Sequence, residues 1–127
     1  MNTDYLYREE LMDIYKNSTS KGHLDHPTVE VTEQNPVCGD QLTLQLQIEG
    51  NKIVDAKFDG MACAVSVISS SYLLKSLIGK TVTDAKLITK DQLLEMIGLN
   101  LTTSRIKCAT LILEALHNAI SKIEIKK

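Results

Sequence analysis

This sequence of 127 residues lacks a long apolar run, an excess of basic charge and a hydrophobic leader. Its apolar stretches are far too short to span a bilayer. A net charge of −2 leaves no basic face to neutralise nucleic-acid phosphates. The charged and polar amino terminus does not match a secretory signal peptide. We therefore expect a cytoplasmic protein that binds neither membranes nor nucleic acid.

Cysteine is scarce too. The chain has three cysteines, an odd number that leaves one unpaired in any disulfide scheme, and no Cys-x-x-Cys pair. Because cytosolic thiols stay reduced, a cluster of them there more often binds metal or reacts than forms disulfides. The sequence shows no internal repeat, low-complexity tract or linker, and its 43% hydrophobic content is ordinary. These features predict a single domain over residues 1–127.

Hydrophobic periodicity predicts a helix near the amino terminus, three strands and then further helices. In chain order the predicted elements are a helix over residues 5–17, strands over 28–33, 41–49 and 52–59, a helix over 62–78, a short turn over 83–87 capped by Thr83, and helices over 89–97 and 104–123. Thr89 and Gln92 match a capping box at the start of the helix over 89–97, and Gly98 is expected to end it. The second and third strands are separated by Gly50-Asn51, which predicts a two-residue hairpin turn. Alternation places Leu42, Leu44, Leu46 and Ile48 on one face of the second strand, and Val54, Ala56 and Phe58 on the core face of the third.

The hairpin register makes a prediction about the cysteines. With Gly50 and Asn51 as the turn, extrapolated pairing sets Cys38 opposite Cys63 and brings Asp40 close to Met61. Cys38 and Asp40 share a face because side chains alternate along an extended backbone. A bulge would shift this register by one residue.

The third cysteine, Cys108, falls in about the first turn of the last helix. The positive end of that helix, with Arg105 and Lys107 beside the thiol, favours the thiolate. A tetrahedral site needs four ligands, and soft thiolates select zinc or iron–sulfur clusters. Asp40 can supply the fourth ligand as a hard, weaker donor, suited to holding something and then releasing it.

Three other interpretations of these residues stay open. The cysteines can be small buried core residues, or they can form a closed structural zinc site in an interaction module. Cys108 can also be the nucleophile of a thiol enzyme, although no histidine or asparagine partner is apparent. A serine run predicts close helix packing, because no histidine or acid is placed to activate it; its members are Ser66, Ser69, Ser70 and Ser71.

Three motifs carry a family resemblance that covers nearly the whole chain. They are Asn35-Pro36-x-Cys38-Gly39-Asp40, Phe58-x-Gly60-x-x-Cys63-Ala64-x-Ser66 and Arg105-x-Lys107-Cys108-Ala109. Together and in this order they resemble the U-type iron–sulfur assembly proteins: IscU, SufU and the N-terminal domain of NifU. The resemblance implies an α+β fold, a three-stranded antiparallel sheet with helices packed on it and the metal or cluster site at one exposed end.

The same resemblance implies the ligands Cys38, Asp40, Cys63 and Cys108. It implies that the protein takes persulfide sulfur from a cysteine desulfurase and passes sulfur or a cluster to a carrier or to apo iron–sulfur proteins. Zinc at rest, iron or a [2Fe-2S] cluster would occupy the site. Such a protein is a scaffold and sulfurtransferase rather than a stand-alone enzyme.

Two departures distinguish subgroups within the family. IscU proteins carry His immediately before the last cysteine, where this chain has Lys107, and a Leu-Pro-Pro-Val-Lys motif that is missing here. Both losses make the chain similar to SufU, although it lacks the insertion of about 20 residues that SufU proteins usually carry before the last helix. The SufU resemblance points to Cys38 as the persulfide acceptor, with Cys108 as the alternative.

Overall fold

A computed structural model describes residues 12–16, 18–35, 39–98 and 103–125, with backbone alone at 103–105 and 125. The predicted ligand Cys38 therefore lies outside the described residues. An antiparallel sheet of order β1-β2-β3 is formed by β1 (Val29–Asn35), β2 (Asp40–Glu49) and β3 (Lys52–Asp59). The helices are α1, described over residues 12–16, α2 (Ala64–Leu77), α3 (Val82–Lys86), α4 (Lys90–Ile97) and α5 (Thr103–Ile125). This architecture confirms the predicted α+β fold.

The central strand β2 organises the core. Its alternating leucines Leu42, Leu44 and Leu46 are completely buried, as the period-two pattern predicts. The long helix α5 packs against β1 and β2, and α2 packs against both α5 and β3. No helix in the part of the chain that the structure describes is long and apolar enough to cross a membrane.

A bulge in β3 changes the predicted register. Ile48 pairs with Ile53, as expected from the turn, but Gln47 pairs with Asp55, so Val54 is the extra residue. Because one added residue reverses the alternation, Ile53 is buried while Val54 is 40% exposed. The prediction that Val54 faces the core is therefore wrong.

The bulge also moves every pair beyond it by one residue. Thr43 pairs with Asp59, and the N–H of Gln41 donates to the carbonyl of Met61 at 2.8 Å. In this register Met61 faces Gln41, and not Asp40 as the straight extrapolation predicts. The expected convergence of the two chain segments still occurs, because both remain at the same end of the hairpin.

The outer edge of β3 is covered by two loop segments. Toward the end that carries Asp59, the N–H of Phe58 donates to the Ser20 carbonyl at 3.0 Å, and the N–H of Gly22 donates to the Phe58 carbonyl at 2.9 Å. Near the turn, the N–H of Ile53 donates to the Lys80 carbonyl at 2.9 Å. Between them the N–H of Ala56 donates to the side chain of Asp55.

The short helices begin and end mostly where capping residues predict. Thr89 and Gln92 form a capping box at the start of α4, and Gly98 ends that helix in the left-handed conformation, as expected. The cap of α3 is Thr81, whose side chain accepts from the N–H of Asp84, and not Thr83. The hydroxyl of Thr81 lies three residues before the amide that it caps, which is the usual spacing.

Candidate metal centre

Three of the four predicted ligands meet at one end of the sheet. Asp40 is the first residue of β2, Cys63 is the residue that precedes α2, and Cys108 lies in α5. One ligand atom from each lies within 4.8 Å of the other two. We call this end, formed by residues 39–41, 60–66 and 106–110, the ligand end.

The donor set fits a small ion that prefers sulfur. Two thiols and one carboxylate are soft and hard donors that zinc accepts together. In a tetrahedral zinc site, bonds of about 2.3 Å to sulfur place neighbouring sulfur atoms roughly 3.8 Å apart. The three donors therefore need to approach by no more than about 1 Å, which side-chain rotation can supply.

Asp40 is buried, with 6% of its surface exposed, and it is tied to the start of α2. Its Oδ1 accepts from the N–H of Cys63 at 3.2 Å, and its Oδ2 lies 2.6 Å from the hydroxyl of Ser66. Cys63 itself makes no side-chain cap for α2. The carboxylate thus provides a cap from another element, at a helix end where negative charge is favoured.

Ser66 is the residue that the sequence interpretation missed. It is completely buried in the first turn of α2, and its hydroxyl oxygen lies 2.9 Å from the Cys108 carbonyl and 3.7 Å from the Cys63 sulfur. With the contact to Asp40, this one hydroxyl contacts all three candidate ligand residues: the side chains of Asp40 and Cys63 and the main-chain carbonyl of Cys108. The expectation that no acid lies near the serine run is wrong, because Asp40 is distant in sequence and only folding brings it there.

The other serines of the run follow the packing interpretation. Ser69 donates to the Ala109 carbonyl on α5, and Ser71 donates to the carbonyl of Val67 one turn earlier in α2. Ser70 is fully buried without a hydrogen-bond partner. Small side chains at these positions let α2 and α5 approach closely, and α2 is buried around most of its circumference.

Cys108 lies deeper than expected. It is the sixth residue of α5, in the second turn rather than the first, and only 2% of its surface is exposed. Cys63 is half-buried, and its neighbour Met61 is 82% exposed. The ligand end therefore has an open side at residues 60–63 and a closed side at α5.

The group of candidate ligands found among the described residues contains no histidine. Nε2 of the exposed His23 lies 2.8 Å from Oδ2 of Asp59, and Nε2 of His117 lies 3.1 Å from the Ile88 carbonyl. His26 is exposed. These are the surroundings of ordinary surface or boundary histidines.

A model of the NifU-like N-terminal domain matches residues 6–127. The chain belongs to this family. Among relatives of the NifU-like N-terminal domain, the zinc-dependent sulfurtransferase SufU of Bacillus subtilis is 34% identical over 97% of this chain and 95% of its own length. The iron–sulfur cluster assembly scaffold protein IscU 1 of Archaeoglobus fulgidus is 32% identical over 91% of this chain and 74% of its own.

Solved structures of the family share the fold. A proposed SUF-system iron–sulfur cluster assembly scaffold protein from Fervidobacterium islandicum has a TM-score of 0.74 at 26% identity, over 94% of this chain and 99% of that one. The NifU-like N-terminal protein of Brucella abortus, 20% identical, has a TM-score of 0.79 over 98% of this chain and 99% of that one, which bears on the fold alone. The SufU alignment spans 140 positions, more than this chain's 127 residues, so that relative carries residues missing here.

Proposed function

We propose that this chain is a scaffold and sulfur acceptor in iron–sulfur cluster assembly. The observation that carries the proposal is the convergence of Asp40, Cys63 and Cys108, with ligand atoms within 4.8 Å of one another, at one end of the sheet. The names of the relatives, a zinc-dependent sulfurtransferase and a cluster assembly scaffold, supply the class of chemistry. Cys38 completes the proposed set as the fourth ligand.

These four residues would hold zinc at rest, and iron or a [2Fe-2S] cluster when the scaffold is loaded. A bound zinc ion would keep its cysteine ligands deprotonated at neutral pH. The protein's own contribution is to hold two thiols and an acid at the ends of different elements. Because the acid is a harder and weaker ligand than a thiolate, we assign Asp40 the role of a ligand that permits release.

Sulfur would enter from a cysteine desulfurase that carries a persulfide on its own cysteine. An acceptor thiolate of this chain attacks the outer sulfur of that persulfide. A new sulfur–sulfur bond forms as the old one breaks, and the desulfurase cysteine leaves as a thiolate. The exchange needs no external oxidant or reductant, and its product is a persulfide on this chain.

We assign the acceptor role to Cys38. Cys108 is the alternative, and it is only 2% exposed, so its sulfur is poorly accessible to the active site of another protein. Cys63 is half-buried at the start of α2, with its N–H bonded to Asp40 and its sulfur 3.7 Å from the Ser66 hydroxyl, so we expect its position to be restrained. Cys38 precedes Gly39 in the sequence, and we expect it to be the easiest of the three cysteines to displace and to present to a partner.

The proposal includes the setting in which this chemistry takes place. The chain would act as one domain in the cytoplasm, deliver sulfur or a cluster to a carrier or to apo iron–sulfur proteins, and bind neither nucleic acid nor membranes. A structural zinc module is the less favoured function. It requires a closed site, whereas Met61 beside the ligands is 82% exposed and Cys63 is half-buried.

The test begins with protein purified without oxygen, whose zinc and iron content is measured. A pyridoxal-phosphate cysteine desulfurase and cysteine are then added briefly, and peptide mass spectrometry locates the added sulfur. We expect bound metal in the wild type, little in Cys63→Ser, and the first sulfur on Cys38.

Two results would contradict separate parts of the proposal. Metal binding without any sulfur transfer would favour the structural zinc module. Sulfur found first on Cys108, with Cys38 unmodified, would overturn the assignment of the acceptor while leaving the assembly function in place. The variant Cys38→Ser then serves as a control, because it should abolish transfer only if Cys38 is the entry point.

A further inference from the structure

Ser66 stands where the three ligand-bearing elements meet. Its hydroxyl oxygen lies 2.6 Å from Oδ2 of Asp40 on β2 and 2.9 Å from the Cys108 carbonyl on α5, while Ser66 itself belongs to α2. The side chain is completely buried, so water cannot easily substitute for it. A third contact, of 3.7 Å, joins the hydroxyl oxygen to the sulfur of Cys63, so Ser66 contacts all three candidate ligand residues.

A serine hydroxyl carries one proton, so these contacts cannot all be donated at once. An ionised Asp40 is the stronger acceptor, and 2.6 Å falls in the range of a charge-assisted bond between a hydroxyl and a carboxylate. The contact between Cys63 and Ser66 has the thiol as the donor. A Cys63 thiolate has no proton, so it could not make this contact as a donor. When Asp40 is a carboxylate and Cys63 is a thiolate, Ser66 would therefore donate chiefly to Asp40.

We infer that Ser66 is a positioning residue that fixes the carboxylate of Asp40 for metal binding. The inference rests on the proposed function, because it assumes that Asp40, Cys63 and Cys108 bind an ion. The N–H of Cys63 engages Oδ1 and the Ser66 hydroxyl engages Oδ2, so the plane of the carboxylate is set from both sides. Without the hydroxyl the carboxylate loses the contact that orients Oδ2, and part of the binding free energy is then spent on ordering it.

The chain offers a closely matched control in Ser69. Both serines lie in α2, both are completely buried, and the hydroxyl of each lies within hydrogen-bond distance of a carbonyl of α5, at Cys108 and Ala109 respectively. Replacing either by alanine removes one buried hydroxyl contact between the same two helices. Only Ser66→Ala also removes a contact to a candidate ligand side chain, so the difference between the variants isolates the positioning effect.

The experiment measures zinc affinity by chelator competition for wild type, Ser66→Ala, Ser69→Ala and Ser66→Thr, together with the absorption bands of bound Co²⁺. We expect Ser66→Ala to bind zinc about tenfold or more weakly than Ser69→Ala, in line with the loss of other residues that orient ligands. Its cobalt bands should shift, because they report the geometry of the ligands. Ser66→Thr keeps a hydroxyl and should recover part of the affinity.

Equal zinc affinity and equal cobalt bands in Ser66→Ala and Ser69→Ala would overturn the role of Ser66 while leaving the metal site intact. A wild type that binds neither zinc nor cobalt would instead overturn the proposed metal site, and this inference with it. If Ser66→Ala does not fold, NMR of the zinc-loaded wild type decides. We expect a slowly exchanging Ser66 hydroxyl proton close to the Cys63 amide, and exchange as fast as at a surface hydroxyl would contradict the inference.

Discussion

The two ends of the sheet are held together by different kinds of contact. At the turn end, formed by residues 48–53 and 79–82, backbone groups bond directly to one another; Gly79 donates to the Ile53 carbonyl and Val82 donates to the Asn51 carbonyl, each at 2.8 Å. Side chains there that face inward, such as Ile53 and Val82, are buried and apolar.

The ligand end depends on polar side chains to a much greater degree. One acid and one serine join β2, α2 and α5 at a point where the surroundings are buried. Contacts of this kind are costly when they are only partly satisfied, and an ion can rearrange them. We therefore expect the stability of the turn end to be insensitive to metal, and the stability of the ligand end to rise when metal binds.

The largest expected effect is that of Gly60→Ala at the ligand end. A Cβ there would lie 2.1 Å from the Gln41 carbonyl oxygen, at a φ of +138° that residues other than glycine rarely adopt. We expect the free energy of unfolding to fall by about 3–5 kcal/mol in urea titrations. The control at the turn end is Gly50→Ala, where φ is +62° and no atom lies within 4 Å, and it should cost only about 1–2 kcal/mol. Equal losses would remove the distinction between the ends.

Metal removal should have the next largest effect. If zinc binds only the folded chain, a concentration one hundred times the dissociation constant adds about 2.7 kcal/mol, which corresponds to roughly 10 °C in melting temperature for a chain of this size. Amide hydrogen exchange should locate the change. When exchange occurs through subglobal opening, zinc should increase the protection of the Val67 amide more than that of the Ile53 amide. Cys63→Ser should show little response to zinc, and a wild-type melting curve unchanged by chelation would contradict the prediction.

Replacing Asp40 should affect both stability and release. Asp40→Ala removes the acceptor for the Cys63 N–H and for Ser66, so even metal-free protein should lose about 1–3 kcal/mol of unfolding free energy. Because we propose Asp40 as the ligand that permits release, a reconstituted cluster should be lost more slowly from this variant, as followed by absorbance after transfer to a chelator. Asp40→Asn, which keeps an acceptor oxygen, should recover part of the stability. Faster cluster loss from Asp40→Ala would show that the carboxylate holds the cluster.

The smallest effect is expected far from the ligands, at the ion pair between Lys86 and Glu124. Its atoms lie 2.8 Å apart, but both side chains are about half exposed, so solvent screens the attraction. Lys86→Met should change the free energy of unfolding by about 0.5 kcal/mol or less and leave zinc affinity unaltered. A larger loss, or any change in zinc affinity, would mean that charge on this side of the molecule reaches the ligand end.

Local patterns were sufficient to predict most of the fold. Alternating leucines defined β2, and Thr89 with Gln92 defined the start of α4, because both signals act within a few residues. The bulge at Val54 was not predictable in position, since an inserted residue leaves the composition of the strand unchanged. Its effect on the side-chain alternation followed only from the three-dimensional pairing.

The site was partly predictable for the same physical reason. Asp40, Cys63 and Cys108 are chemically conspicuous, and the hairpin brings the first two together through a turn that the sequence shows. Ser66 ends one of the motifs of the family resemblance, but it has the same side chain as Ser69, and nothing in the local sequence assigns it a contact with an acid. Only folding sets the first turn of α2 beside the start of β2, so that Ser66 contacts an acid as well as a carbonyl of α5, while Ser69 contacts a carbonyl of α5.

The covered edge of β3 has a consequence for how this protein meets other chains. The outward N–H groups of Ile53, Ala56 and Phe58 are already bonded to Lys80, Asp55 and Ser20. A foreign strand that tried to extend the sheet there would first have to displace both loop segments. We therefore do not expect two copies of the chain to associate through the edge of β3. The exposed surface near Met61 stays open for a partner that binds at the ligand end.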